Sequence, residues 1–133
     1  MDKTISQVIS EFLSFLSQAQ SDYAFSQEEI VRLDMLTQDY LHKLELQDTN
    51  YRDRAKMATD LRQCRIDRRY HKDHVANLAP LVQCLTSDKG KVVLSQLQQT
   101  LGAVRKAERA TQDRHYTPRV LSQEEYNGNQ QTS

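Results

Sequence analysis

Arg62, Arg65, Arg68, Arg69 and Lys72 fall within eleven positions and recur at i, i+3, i+4 and i+7, so a helix through them carries a basic ridge. Arginine dominates the group, and its planar fork suits bidentate recognition of carboxylate or phosphate. Tyr70 stands among them as a surface on which a base could stack. Two chemistries fit this pattern: neutralising the phosphates of a nucleic acid, or pairing with an acidic helix, in this chain or another. The second is favoured, because charge runs are more often paired or solvated faces and base readout calls for a helix-turn-helix that the linkers do not provide.

Interleaved with the ridge, Cys64, Asp67, His71 and His74 follow i, i+3, i+7 and i+10 on one helical face. All four side chains can ligate metal, and His71 with His74 has the spacing of one zinc edge. Four ligands spread over three turns of a straight helix cannot converge on one tetrahedral ion, and the chain has no pair of Glu-x-x-His motifs for a bridged di-metal bundle. They remain weak metal candidates. The expected role is a polar layer in a helix seam, with His71 and His74 bonded to carboxylates, and no cofactor is called for. Covalent catalysis has no signature either. There is no Gly-x-Ser-x-Gly and no phosphate loop, and Gly90, Gly102 and Gly128 stand isolated. The expectation is a protein that is not an enzyme.

The formal net charge of the 133 residues is zero, but it is not evenly spread. Residues 1–50 hold three basic and nine acidic side chains, whereas residues 51–121 hold fifteen basic and seven acidic. Glu28, Glu29, Asp34, Asp39 and Glu45 offer the ridge an internal counter-surface. Three Gly and two Pro are too few for a turn-rich β protein. No apolar run approaches the roughly 18 residues of a membrane span, and the first twenty residues alternate too much for a secretory signal. Cys64 and Cys84 would lie roughly 30 Å apart on one helix, beyond disulfide reach, which suits a reducing cytoplasm and small buried hydrophobes.

Hydrophobic periodicity then supplies the elements. Ile5, Val8, Ile9, Phe12, Leu13, Leu16 and Ala19 form one stripe over about 4–20, which Phe15 widens toward a second neighbour. A break follows at 20–25. Ser26-Gln27-Glu28-Glu29 reads as a capping box, with Phe25 and Ile30 as its staple, opening a helix over 26–46. Asn50 and its neighbours start a long helix over 50–85, kinked by Pro80, and a final helix covers 88–112 after the Thr86–Gly90 turn. Residues 114–133 read as an extended or disordered tail. Its more apolar part, with Tyr116, Pro118, Val120 and Leu121, is a candidate dock on the bundle or on a partner.

Some of these stretches resemble a family. The run Arg32 to Leu46 followed by Arg54-Ala55-Lys56, then Arg68-Arg69, Lys72-Asp73, Leu78, Pro80-Leu81, Asp88-Lys89-Gly90 and Tyr116-Thr117-Pro118-Arg119, is similar in type and order to small helical proteins of phages and prophages of Gram-positive bacteria. The likeness spans roughly residues 20–121. It implies a cytoplasmic accessory protein of a mobile element that binds host or phage machinery, and it carries over no catalytic residue.

The sequence thus predicts a single all-α domain over 1–113, a four-helix, bundle-like fold with a long central helix and coiled-coil-type antiparallel packing. Its thin stripes call for a partner and favour a homodimer. Function is expected to be non-enzymatic protein binding, with phosphate binding through the basic ridge as the alternative.

Overall fold

A computed structural model describes residues 2–114, 119–122 and 124–125. Among them the chain is all-helical, with three helices: α1 (Ile5–Leu46), α2 (Tyr51–Thr86) and α3 (Asp88–Gln112). The expected four helices become three because α1 runs without interruption through 20–25. Nothing in Gln20-Ser21-Asp22-Tyr23-Ala24-Phe25 forbids helix, and extending an existing helix avoids the cost of a second nucleus. Ser26 is therefore no cap. The capping box of α1 sits at its true start, where Thr4 Oγ1 accepts from the Gln7 amide at 3.3 Å and Gln7 Oε1 accepts from the Thr4 amide at 2.9 Å.

Asn50 caps α2 by accepting from the Asp53 amide at 2.8 Å. Pro80 lies exposed inside α2, which continues past it to Thr86. Ser87 alone separates α2 from α3. It is the C-cap of the first and the N-cap of the second, its hydroxyl donating to Cys84 O at 2.7 Å and accepting from the Gly90 amide at 3.0 Å. That turn is so tight that a Cβ on Gly90 would stand 1.8 Å from the Cys84 carbonyl oxygen.

α1 and α2 form an antiparallel hairpin in heptad register. Ser26 meets His71 and, seven residues further along α1, Leu33 O meets Cys64, seven residues back along α2. The seam is spare: buried apolar side chains among the described residues are Leu16, Ala19, Leu33, Met57, Cys64, Leu85 and Leu101, and Ser26 and Thr37 are buried beside them. α3 does not fold back along the hairpin to complete a bundle. It follows the first turns of α1, which bury Ser6 and Leu16 on that flank, and ends with Glu108 against Ser6. Any cross-section of the molecule thus contains about two helices, and two helices bury little.

Candidate functional site: an open helical seam and a basic ridge

Ile5, Phe12, Ala19, Ser26, Leu33 and Tyr40 recur every seven residues along α1, the spacing that keeps one line of side chains facing a partner helix. Ala19, Ser26 and Leu33 are buried on this line, and Leu81 and Leu85 in the last turns of α2 reach as far as Leu16 and Phe12. Ile5, Val8, Phe12 and Phe15 nevertheless stay at least half exposed. Two stripes therefore share the first four turns of α1. Ser6, which meets Glu108 of α3, and Ile9, Leu13 and Leu16 are buried or half-buried, while Ile5, Val8, Phe12 and Phe15 remain at least half exposed.

The open stripe leads into an apolar cavity of about 440 Å³ where the three helices diverge. Phe12 and Leu16 line it from α1, Leu81 and Leu85 from α2, Val93 and Leu97 from α3. Cys84 also borders it and is exposed, contrary to the expectation of two buried cysteines; both thiols are free, and Cys64 alone is buried. Phe15, expected to widen the stripe toward a second buried neighbour, is instead exposed and does not line the cavity.

The basic ridge forms on α2 as its spacing required, but the acidic half of α1 covers almost none of it. Arg68 Nε donates to Asp34 Oδ1 at 2.5 Å, and this is the only ion pair between α1 and α2 among the described residues. Glu29 turns instead to Arg32 on its own helix at 2.8 Å, and that guanidinium holds the Glu29 carboxyl below its ordinary value. Arg62, Arg65, Arg69, Lys72 and Tyr70 are exposed, with no ion pair to the four cations among the described residues. Arg65 borders an open groove with Val31 and Met35, apolar side chains of α1 that are themselves exposed.

The four metal-competent side chains of α2 are dispersed by their contacts. Cys64 Sγ donates to Leu33 O at 3.3 Å inside the seam. Asp67 accepts from Gln63, and His74 stacks on Tyr70 with ring centroids 5.9 Å apart. His71 Nδ1 lies 3.0 Å from Ser26 Oγ, with Phe25 packed edge-on at 5.9 Å. The partner of His71 is thus a hydroxyl, where a carboxylate was expected. Among the described residues no group of three or more such side chains could hold a metal ion. Ser26 is 2% exposed in mid-helix, so its hydroxyl serves packing and is closed to substrate.

Glu108 does what no sequence spacing signals. Its carboxylate accepts from the Ser6 amide at 3.0 Å and from Ser6 Oγ at 2.7 Å. The Ser6 amide is one of the unpaired donors in the first turn of α1, so α3 caps α1 from a hundred residues away. Of the candidate tail dock, Val120 is 96% exposed and Leu121 about half exposed, while Tyr116 and Pro118 lie outside the described residues.

No helix among the described residues is long and apolar enough to cross a membrane. No known protein family, curated protein or solved structure matches the chain.

Proposed function

We propose that this protein is a non-enzymatic, all-helical protein-binding module. The observation that carries the reading is the apolar stripe of α1, where Ile5, Val8, Phe12 and Phe15 keep heptad spacing, stay at least half exposed and lead to an apolar cavity. A row of half-exposed Ile, Val and Phe at coiled-coil spacing is the surface that helix-in-groove recognition uses. The resemblance to small phage and prophage proteins supports the finer proposal, a cytoplasmic accessory protein of a mobile element that modulates a host or phage complex. Tagged protein recovered from its producing cells tests this. A partner chain retained by the wild type, lost with Phe12→Asp and rebound by purified wild-type protein supports the module; loss of no partner on that substitution refutes it.

A second reading rests on the ridge. Arg62, Arg65, Arg69 and Lys72 are solvent-facing cations without ion-pair partners among the described residues, which suits phosphates. Fluorescence anisotropy with generic DNA and RNA at low salt decides it: affinity that falls steeply with added salt and drops on Arg65→Ala supports nucleic-acid binding, and no binding removes it.

A further inference from the structure

We infer that the occupant of the open α1 seam is the same seam of a second copy, laid antiparallel across Ile5, Val8, Phe12 and Phe15. This inference deepens the protein-binding reading by naming the partner.

Three observations lead to it. The first is placement. Glu108 of α3 meets Ser6 on one flank of α1, and the last turns of α2 reach Leu16 and Phe12 at the cavity, which leaves Ile5, Val8, Phe15 and half of Phe12 facing outward. An antiparallel α1 from another copy laid on this stripe sets Ile5 opposite the partner's Phe15 and Val8 opposite the partner's Phe12. A two-fold axis near Ser10 relates the two stripes, so each residue type meets what the other copy offers.

The second is charge. Between Thr4 and Ser21 the chain has a single charged side chain, Glu11, in a protein that is 27% charged. Lys3 lies against it at 2.7 Å, which leaves the face close to neutral. A neutral surface gives an acidic or basic partner nothing to complement. It also meets its own copy without like-charge repulsion.

The third is area. The four side chains are 50–66% exposed. With about 150–250 Å² on each aromatic, they present on the order of 400 Å² per copy. Val93 and the cavity walls beside Phe12 bring the two-copy total to about 1,000 Å², the floor for a specific interface. The tail is the competing occupant, but Val120 stands 96% exposed.

The test uses the full chain with p-benzoylphenylalanine in place of Phe15, which keeps an aromatic ring at the seam, together with sedimentation equilibrium. The expected result is a mass of twice 15.5 kDa for the wild type. Irradiation should give an adduct between two copies mapped to residues 4–16. Phe12→Asp should weaken self-association at least tenfold with helical circular dichroism unchanged, whereas Gln99→Ala, exposed on α3 and outside the cavity, should leave it intact. A monomer at high micromolar concentration, or an adduct within one chain to residues 114–133, overturns the inference. An adduct to a foreign chain alone overturns the second copy and leaves the protein-binding reading standing.

Discussion

Ser26 Oγ and His71 Nδ1 lie 3.0 Å apart at mid-seam, one heptad from the contact between Leu33 O and Cys64 Sγ. The pair fixes the register of α1 on α2 where bulky aliphatics are scarce. Ser26 is 2% exposed, so the seam has no room for a larger side chain there. Ser26→Leu is expected to destabilise the fold by about 1–3 kcal/mol through overpacking. Ser26→Ala, which removes the hydrogen bond alone, should cost about 1 kcal/mol. Urea unfolding of both variants measures the difference, and equal effects would show that the space matters less than the bond.

The two glycines of α3 respond to the same substitution with opposite signs. Gly90→Ala drives a Cβ into the Cys84 carbonyl, an atom of the backbone that cannot rotate away. A loss of about 1–3 kcal/mol or more follows, with α2 and α3 forced apart at Ser87. A Cβ on Gly102 meets nothing within 4 Å, so Gly102→Ala should stabilise the helix by up to about 1 kcal/mol. Thermal melts of the two variants should move in opposite directions.

Asp34→Asn removes the only ion pair bridging the hairpin among the described residues. Arg68 is largely covered, but the Asp34 side chain is about half exposed and water screens it. The expected cost is below about 1 kcal/mol, and added salt should shrink it further. A double-mutant cycle with Arg68→Ala at two salt concentrations checks both the size and the salt dependence.

Acid should loosen α3 from the start of α1. The Ser6 hydroxyl, with the Ser6 amide, holds the Glu108 carboxyl below its ordinary value of 4.5. A carboxyl depressed in the folded state adds stability above the unfolded value, and that contribution disappears as pH falls through 4.5 toward the lower folded value. Wild-type protein should therefore lose stability across this window, and Glu108→Gln should lose less. Unfolding followed between about pH 3 and pH 7 tests it, and parallel curves for the two proteins would count against the Ser6 contact.

The all-helical class was legible because periodic apolar stripes and a shortage of Gly and Pro leave no other option. The turns at 47–50 and 86–90 were legible because the apolar pattern stops there, and the structure picks Asn50 and Ser87 within them as the caps. The false break before Ser26 came from a local signal, Ser-x-x-Glu, that is compatible with a helix start but does not enforce one. Helix continuation won because residues 20–25 contain no breaker, and Glu29 was taken by Arg32. The polar seam at His71 was anticipated as a layer but not with Ser26, since hydroxyls carry no periodic mark. The α1 stripe was visible in the sequence, but its division between a covered and an open side depends on how α2 and α3 meet it at the Ser87 turn, which stripe width alone does not encode. Glu108 on Ser6 joins positions that no local pattern relates.

The continuity of α1 sets a length scale. Forty-two residues at about 1.5 Å each give a strut of about 63 Å. Two such struts overlapping only over their first turns would point their hairpin tips in opposite directions, with the Leu46 ends on the order of 110 Å apart. The uncovered arginines of α2 would then be carried on both arms, spaced by rigid helix instead of by a flexible linker. Whatever each arm engages, the joint at residues 5–15 would hold the two sites at a fixed separation, the geometry of a spacer bar.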